Sequence, residues 1–370
     1  MNVPAEESLA WVLDPRLVQE ELTLIGLRED LIPPLIDGAR RAARDSRSPA
    51  LLGKIHAAGL RGERGPFEIP DHPWLPALAV IAGFPHARSL YRRRGVPHSL
   101  VFTTLRDIER SIDAYHREYG RFGFQNVRWM RHHLRARLVE IGRLQFQPAE
   151  LALPYHIFRK TSDASTVVFA RQGLTCTAEG WLDSSADHFP TGYSVDEKTV
   201  RGHRVLPESG AIAPTVSEVV VQDHERVADA TTPFLFVHIP SGGKLSMAEC
   251  DASLEQAAAQ LPGFFPEWDF RGFACVSWLL DRELTHCLPP DSNMLHFGRR
   301  FFPLAFPNAT GDQLLERVFG PGMDPNTAVP TNAFQRAVLQ RLRAGGTFRM
   351  TGGVILKPEW GKGSLSPMRR

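Results

Sequence analysis

The stretch that decides the fold is Phe234-Leu235-Phe236-Val237-His238-Ile239-Pro240-Ser241-Gly242-Gly243-Lys244, followed closely by Ser246-Met247-Ala248-Glu249. The apolar run that ends at His238 is typical of a buried strand. The Ser-x-x-Glu pattern that begins at Ser246 is a capping box, and it predicts a helix over residues 247–261. The sequence therefore predicts a strand, a glycine-containing loop and a capped helix in direct succession.

The loop between this strand and this helix has the composition of an anion site. Two consecutive glycines let the backbone approach a ligand closely, and the free N–H groups at a helix N-terminus attract negative charge. Lys244 adds a positive charge. The segment is neither a P-loop nor a dinucleotide fingerprint, because GxxxxGK[ST] and GxGxxG do not occur in the chain. Phosphate binding and an ordinary tight turn both remain compatible with this spacing.

Side chains at the ends of two apolar strands are candidates for chemistry. His238 ends the first strand, where an imidazole can serve as a general base near neutral pH, although a histidine satisfied by a backbone partner also fits. The second strand is predicted over residues 273–280 and puts Cys275 and Ser277 on one side by alternation. Neither lies in a motif such as GxSxG, and core packing is the preferred reading of Cys275.

The remaining sequence predicts an α+β fold divided near residue 140. Apolar residues recur at helical spacing over residues 105–119, after the capping pattern Thr104-Leu105-Arg106-Asp107, and again over 127–141. Beyond residue 142, short β-branched segments separated by turn residues indicate antiparallel strands, with helices at 293–301, 311–319 and 333–344 and a last strand at 347–356. We expect a helical domain over residues 1–140 and a mixed, mostly antiparallel sheet flanked by helices over 141–370.

Charge and composition limit the partners. The net charge of +2 gives no sign of nucleic-acid or membrane binding. It hides 13 arginines against five acids between residues 84 and 143, a local +8 compatible with a phosphate group, another anionic ligand, a nucleic acid or simply a solvated helix face. No base-reading motif accompanies these arginines, so we expect no nucleic-acid partner. The oligomeric state stays open.

Cellular location and metal content are also predicted from composition. The N-terminal residues are acidic where a secretory signal is basic, and the longest apolar run is too short for a membrane span, so we expect a cytoplasmic protein without membrane insertion. The four cysteines include no CxxC pair, which favours reduced, buried thiols over a zinc site or disulfides. No metal is expected.

Several blocks of sequence resemble one family. They are Ile141-Gly142-Arg143-Leu144-Gln145-Phe146, Val237-His238-Ile239-Pro240-Ser241-Gly242-Gly243, Ser277-Trp278-Leu279-Leu280-Asp281 and Leu288-Pro289-Pro290-Asp291-Ser292-Asn293, with Arg299-Arg300-Phe301 close behind. The chain is similar in these blocks to actinobacterial acyltransferases that join an N-terminal helical acyltransferase domain to a GNAT-like C-terminal domain. Arg94-Gly95-Val96-Pro97 and Thr104-Leu105-Arg106-Asp107-Ile108 extend the resemblance into the helical half. Relatives in that family N-acylate glycopeptide antibiotics of the teicoplanin class.

The resemblance implies acyl transfer from an acyl-CoA co-substrate to an amine on a small molecule or peptide, in antibiotic or secondary metabolism. His238 would deprotonate the amine, a backbone N–H near His238 or Ile239 would stabilise the oxyanion, and pantetheine would lie between the two apolar strands. GNAT enzymes often protonate the departing thiolate with a tyrosine after the second strand. None stands there, which leaves Ser277, a water or no acid.

The resemblance also implies how CoA is held. The candidate CoA-binding residues are Ile239, Ser241, Gly242, Gly243, Lys244, Ser246 and Asn293. Pro-Ser-Gly-Gly-Lys departs from the usual Q/R-x-x-G-x-G/A signature of GNAT enzymes. Together with the absent tyrosine, this keeps open an alternative in which the chain binds acyl-CoA without turnover, as a regulatory protein. Acceptor identity and acyl length are not encoded in any recognisable motif.

Overall fold

In the computed structural model, residues 6–357 are described apart from 64–66, 68, 70, 186 and 321. The chain divides into two compact units. The first contains the described residues up to Gln147, together with Ile239–Lys244 and Gly263–Phe265. The second contains Pro148–His238, Leu245–Pro262 and the described residues from Pro266 onward. The loop singled out by the sequence thus belongs to the first unit, whereas the strand before it and most of the helix after it belong to the second.

The first unit is mainly helical. Its α-helices are α1 (Pro15–Leu24), α2 (Ile32–Ala43), α3 (Ser48–Arg61), α4 (Leu75–Ile81), α5 (Phe84–Arg93), α6 (His98–Leu105), α7 (Asp107–Tyr119) and α8 (Val127–Leu134). Short 3-10 helices cover Glu6–Leu13 and Glu29–Leu31. A hairpin follows, formed by β1 (Val139–Ile141) and β2 (Leu144–Glu150), whose last three residues belong to the second unit. The predicted helical character of this part of the chain is confirmed.

Burial explains why these helices hold together. All seven residues of α4 are buried, so this short helix is surrounded by its neighbours. On α7, Ile108, Ile112 and Tyr115 follow the three- and four-residue steps of one helix face and are at most 1% exposed. Burying each such side chain contributes about 1.5–3 kcal/mol. Gly38 of α2 allows close packing, because a Cβ there would lie 2.7 Å from Cβ of Trp74.

Two details predicted for this unit are wrong. The helix expected over residues 127–141 ends at Leu134, Ala136 has a φ of +48°, and residues up to Ile141 then form β1. The capping pattern at Thr104 is not a cap either. Thr104 lies in α6, where its hydroxyl donates to the carbonyl of Leu100 at 2.6 Å, and α7 begins after Arg106 without a side-chain cap.

A buried polar network connects α7 with α8 and β1. Asp107 accepts hydrogen bonds from Arg110 at 2.8 Å and from the Trp129 indole at 2.8 Å, and it lies 3.3 Å from the imidazole of His133. Arg110 also forms a two-point ion pair with Glu140. These partners hold the pKa of Asp107 well below its usual range, although burial opposes the shift. Some of the excess arginines of this region therefore neutralise internal acids.

The second unit carries most of the strands. They are β3 (Tyr155–Lys160), β4 (Thr166–Ala170), β5 (Thr175–Cys176), β6 (Phe189–Pro190), β7 (Tyr193–Val195), β8 (Thr199–Val205), β9 (Ile212–Val220), β10 (His224–Ala228), β11 (Pro233–His238), β12 (Gly272–Ser277), β13 (Phe302–Ala305) and β14 (Thr351–Leu356). The helices are α9 (Met247–Phe264), α10 (Asn293–Gly298), α11 (Asp312–Phe319) and α12 (Ala333–Arg343). Short 3-10 helices cover Val221–Asp223, Trp278–Leu280 and Arg282–His286.

The strands of this unit form a mixed, mostly antiparallel arrangement, which confirms the predicted fold class. One layer has the order β11-β12-β14-β13, in which β11 and β12 are parallel and the other neighbours antiparallel. Another has the order β10-β3-β4-β8-β7, with β9 paired to β8. The core includes Tyr155, Phe234, Ala274, Leu304 and Val354. The Tyr155 hydroxyl donates to the carbonyl of Ala305 at 2.6 Å, which satisfies its buried polar end.

Sequence patterns locate most of these strands but not all of them. The strand predicted over residues 273–280 is shorter, because β12 ends at Ser277 and a 3-10 helix follows. The last strand begins at Thr351 rather than residue 347. Strands β3, β6, β10 and β13 are not among those that the sequence patterns predict. The helices predicted at 311–319 and 333–344 are confirmed as α11 and α12, within one residue of their bounds.

Candidate functional site

The loop after β11 has a backbone conformation that requires glycine. Gly242 has a φ of +92° and Gly243 a φ of +71°, so both lie in the left-handed region that side chains disfavour. A Cβ at either position would have no heavy atom of the described residues within 4 Å. Residues 241–244 are all exposed. The glycines thus serve the backbone path itself, and the space beside them is open to a ligand.

Arg143 fixes the shape of this loop from within the same unit. Gly142 and Arg143 form the two-residue turn between β1 and β2, with Gly142 at a φ of +60°, as the first position of a type II′ hairpin turn requires. The Arg143 guanidinium donates to the carbonyl of Pro240 at 3.0 Å through Nη1 and to the carbonyl of Lys244 at 3.1 Å through Nε. One side chain therefore holds both Pro240 and Lys244, on either side of the glycine pair.

Helix α9 begins three residues after this loop. The hydroxyl of Ser246 accepts from the N–H of Glu249 at 3.4 Å, which is one half of the predicted capping box. The helix buries Cys250, Leu254, Ala257 and Leu261 along one stripe. Its Asp251 forms a close two-point ion pair with Arg300, the central residue of the Arg-Arg-Phe block. The first turn of a helix thus lies three residues beyond the glycine loop, with the N–H of Glu249 already bonded to Ser246.

Strands β11 and β12 end near the candidate catalytic residues. The parallel register joins Leu235 to Phe273 and Phe236 to Ala274. The antiparallel register of β12 with β14 continues over six pairs and reaches Ser277, opposite Thr351. His238 is the last residue of β11 and is half-buried. Phe236 is the last residue of β11 that is in parallel register with β12, and His238 lies two residues beyond it.

Ser277 and Asn293 have positions that structure alone also explains. Ser277 is 8% exposed, and its hydroxyl oxygen accepts from the N–H of Leu279 at 3.2 Å, so it caps the 3-10 helix that follows β12. The hydroxyl proton can still be donated elsewhere. Asn293 is exposed at the first position of α10, whose N-cap is Ser292. The roles assigned to both residues stay predictions.

Asp281 is a buried carboxylate that the sequence did not single out for a role. It is 5% exposed and accepts from the backbone N–H of Arg349 at 2.6 Å and of Glu283 at 3.0 Å. Burial raises its pKa to about 6, against the two N–H donors, which favour the ionised form. Asp281 thus connects the segment after β12 to the segment before β14, which is a structural role.

The cysteines are buried, and the pKa is raised in Cys176, Cys275 and Cys287, which is the reverse of an activated thiolate. All four are free, and burial raises the pKa of Cys275 to about 12 and that of Cys176 and Cys287 to about 11. The preference for Cys275 as a core residue is confirmed. Within the described ranges, no group of three or more His, Cys, Asp and Glu side chains could hold a metal ion. No helix in that part of the chain is both long and apolar enough to cross a bilayer.

The architecture defines a class of protein. A parallel strand pair inside a mostly antiparallel arrangement, with a glycine loop and a capped helix between the two strands, is GNAT-like. The chain belongs to the family of the GNAT-like C-terminal domain, which matches residues 138–355, more than half of its length. The N-acyltransferase N-terminal domain matches residues 17–136. The resemblance found in the sequence is confirmed, and the chain has both domains of an acyltransferase.

Solved structures share this fold at low sequence identity. An acyltransferase in complex with decanoyl-CoA and teicoplanin is 21% identical, with a TM-score of 0.63 over 93% of this chain and 88% of that chain. The same values describe a mutant acyltransferase in complex with octanoyl-CoA. A complex with CoA and 10C-teicoplanin is also 21% identical, with a TM-score of 0.63 over 92% of this chain and 88% of that chain. No curated protein matches the sequence.

Sequence reasoning missed the role of Arg143. The residue lies in the first family block, but its acceptors lie 97 and 101 residues further along the chain. A hairpin turn with an arginine carries no local signal of such a partner. The glycine pair and the capping box, by contrast, were visible because each is a short local pattern.

Proposed function

We propose that the protein transfers an acyl group from acyl-CoA to the amine of a small molecule or peptide. The observation that carries the proposal is the loop Ile239–Lys244, with two successive left-handed glycines beside open space and a helix beginning shortly after it. Such a backbone presents N–H groups to an anion, and the helix N-terminus adds its dipole. We assign the CoA pyrophosphate to this loop, with Ser241, Gly242, Gly243, Lys244 and Ser246 as its contacts.

The strand pair supports a place for the thioester. The parallel register of β11 with β12 joins Leu235 and Phe236 to their partners, whereas β12 stays in register with β14 as far as Ser277. We propose that pantetheine lies between β11 and β12 beyond these pairs, where a backbone N–H near His238 or Ile239 stabilises the oxyanion of the tetrahedral intermediate. A hydrogen-bond donor in that role lowers the activation free energy by about 3–4 kcal/mol. Asn293 is assigned to the CoA arm.

His238 is our candidate for the general base. An amine acceptor arrives mostly as ammonium and becomes a nucleophile only after losing a proton. The imidazole takes that proton, the amine nitrogen forms the new bond to the carbonyl carbon, and the carbon–sulfur bond breaks as the intermediate collapses. The bonded nitrogen loses its second proton as the amide forms, and the CoA thiolate leaves as a comparatively stable anion. The candidate that protonates this thiolate is Ser277, which recovers its proton from the nitrogen, or a water molecule. The half-buried position of His238 leaves it accessible enough for this exchange.

The chemical class of the amine acceptor and of the acyl donor can also be proposed. Solved proteins of this fold were crystallised with octanoyl-CoA, decanoyl-CoA and teicoplanin. These complexes support medium-chain acyl-CoA donors and an antibiotic-like amine acceptor as the first compounds to test, in keeping with a role in secondary metabolism. We propose amide formation as the reaction, with an acceptor of that broad class.

A second candidate function is acyl-CoA binding without turnover. The observation in its favour is that all five tyrosines lie at or before residue 193, and that the hydroxyl oxygen of Ser277 is engaged as a helix cap. A regulatory protein on the same fold would need the pyrophosphate loop but neither base nor acid. The two candidates therefore differ only in whether a free thiol is produced.

The experiment incubates purified protein with octanoyl-CoA or decanoyl-CoA and a panel of amines, and follows free CoA thiol together with the mass of the acylated product. We expect thiol release that depends on the amine. In the variant His238→Ala, kcat should fall about 10²–10⁴-fold, as for loss of a general base, while acyl-CoA affinity stays within about twofold. The matched control is His286→Ala, an exposed histidine at the end of a 3-10 helix.

Three outcomes separate the hypotheses. Acyl-CoA binding without thiol release across the panel favours the regulatory alternative. Full turnover in His238→Ala refutes the assignment of the base but leaves acyl transfer standing. Failure of the wild-type protein to bind any acyl-CoA refutes both candidates.

A further inference from the structure

The turn between β1 and β2 carries a side chain that acts on the glycine loop. Arg143 donates to the carbonyls of Pro240 and Lys244, at 3.0 and 3.1 Å, through two nitrogens of one rigid guanidinium. All three residues belong to the first unit. The turn is set by the register of Ile141 opposite Leu144, which leaves two residues to reverse the chain. Arg143 is thus presented by a short hairpin rather than by a long, unrestrained loop.

The two hydrogen bonds decide where the loop N–H groups point. In a planar trans peptide, the C=O and the N–H of the next residue point in opposite directions. The carbonyl of Pro240 shares its peptide with the N–H of Ser241, and the carbonyl of Lys244 shares its peptide with the N–H of Leu245. Because both carbonyls face the Arg143 guanidinium, these two N–H groups face away from it. They bracket Gly242 and Gly243, whose open side is exposed.

A loop of this composition needs such a restraint. Glycine has more backbone freedom than any other residue, and two in succession allow many loop conformations. Without a restraint, a ligand would have to select the one conformation that presents its N–H groups, which weakens binding by the fraction of time the loop spends elsewhere. An arginine that bridges both ends removes most of these alternatives before the ligand arrives.

We propose that Arg143 is a positioning residue for the pyrophosphate of acyl-CoA. It acts by holding the carbonyls of Pro240 and Lys244 away from the ligand, so that the N–H groups of the loop face the phosphate oxygens. This inference rests on the proposed function, since it takes the glycine loop as the pyrophosphate site. It assigns Arg143 no contact with the reacting atoms.

The test compares two acyl donors that differ only in the part the loop would bind. Octanoyl-CoA carries the pyrophosphate and adenosine phosphate, and octanoyl-pantetheine lacks them. Dissociation constants for both are measured by calorimetry with wild type, Arg143→Ala, Arg143→Lys and the control Arg106→Ala. Arg106 also donates from Nη1 to a backbone carbonyl, that of Gly26 at 3.2 Å, but in a different turn of the same unit.

Arg143→Ala should bind octanoyl-CoA about 10-fold or more weakly, because two charge-assisted hydrogen bonds to the loop are lost. Its affinity for octanoyl-pantetheine should stay within about twofold of wild type. Arg143→Lys should fall between wild type and Ala, since an ammonium does not reproduce the planar fork that bridges two carbonyls. In turnover, the KM for octanoyl-CoA should rise while kcat at saturation is retained. Arg106→Ala should match wild type for both donors.

Each remaining outcome overturns the inference. If Arg143→Ala binds octanoyl-CoA as wild type does, the Arg143 hydrogen bonds to Pro240 and Lys244 have no role in binding. If both donors weaken equally in Arg143→Ala and Arg143→Lys, the residue serves general folding rather than the pyrophosphate. If wild type itself binds octanoyl-CoA no better than octanoyl-pantetheine, the pyrophosphate assignment of the loop fails, and the proposed function must be revised at that point.

Discussion

Replacing Gly243 by alanine tests whether the glycine loop binds the pyrophosphate of the donor. Gly243 has a φ of +71°, and a Cβ there would meet no heavy atom of the described residues within 4 Å. In the free protein the added methyl group therefore causes no clash, and the loss is the left-handed strain of an L-residue, about 1–2 kcal/mol. In the complex, the proposal puts a phosphate group in the space that the methyl group would enter.

The backbone strain at residue 243 also sets the expected loss of donor affinity. If the loop must keep its left-handed path to hold the ligand, the strain alone corresponds to about a 5- to 30-fold loss of affinity when the free loop relaxes. If the loop keeps its path, the methyl group displaces the ligand instead. Both routes weaken octanoyl-CoA, and neither affects octanoyl-pantetheine. Gly243→Ala should therefore lower affinity for the first donor only.

Gly120→Ala is the matched control. Gly120 has a φ of +66° at the C-terminus of α7, and its Cβ would also meet no described heavy atom within 4 Å. It should lose about the same 1–2 kcal/mol of unfolding free energy, measured by urea denaturation, with no change in donor affinity. Octanoyl-CoA binding by Gly243→Ala equal to that of wild type would refute the reasoning.

Two further predictions concern stability. Asp107→Asn breaks the buried pair with Arg110 and should lower the unfolding free energy by about 3 kcal/mol at pH 7, against less than about 1 kcal/mol for the more exposed Asp113→Asn. Since the pKa of Asp107 is depressed in the folded state, this contribution is present above pH 4 and should shrink as pH falls further, which urea titrations at several pH values can check. The pH dependence of the unfolding free energy has the opposite sign for Asp281. Its pKa in the folded state is raised to about 6, so the folded state holds the proton more tightly than the unfolded state does. The stability that this proton contributes is therefore lost as pH rises through 6. Wild type should lose about 3 kcal/mol relative to Asp281→Asn between pH 4 and pH 7, and parallel pH profiles would contradict this.

The parts of the fold that sequence predicts well depend on local signals. The strand ending at His238, the glycine pair and the Ser246 capping box each need only a few neighbouring residues to be recognised, and the structure has β11, two left-handed glycines and α9 there. The acyltransferase family was recognised from blocks of the same local kind. The candidate loop was therefore predictable from its own residues and their immediate neighbours.

The errors arise where periodicity is ambiguous. Leu138 and Ile141 continue the helical spacing of α8, but residues 138–141 are a short, fully buried run that pairs as β1 instead. Thr104 and Asp107 imitate a helix cap, yet Thr104 lies inside α6 and Asp107 binds Arg110, Trp129 and His133. Tertiary partners decide both cases, and a single sequence does not reveal them.

The role of Arg143 shows the same limit at the site. Its position after Gly142 indicates a turn, and nothing nearby indicates that its acceptors are the carbonyls of Pro240 and Lys244. The excess of arginine over acid between residues 84 and 143 also conceals different uses. Arg110 neutralises buried acids and Arg143 holds a loop. Burial lowers the pKa of Arg131, and the like charges of Arg128, Arg135 and Arg137 lower it further.

The central claim is that the loop Ile239–Lys244 holds the pyrophosphate of acyl-CoA. The most direct measurement is a crystal structure of the wild-type protein with bound CoA. We expect pyrophosphate oxygens at about 3 Å from backbone N–H groups of residues 241–245, with the Arg143 hydrogen bonds to Pro240 and Lys244 intact. A pyrophosphate bound to another element, with no contact to these N–H groups, would contradict the account.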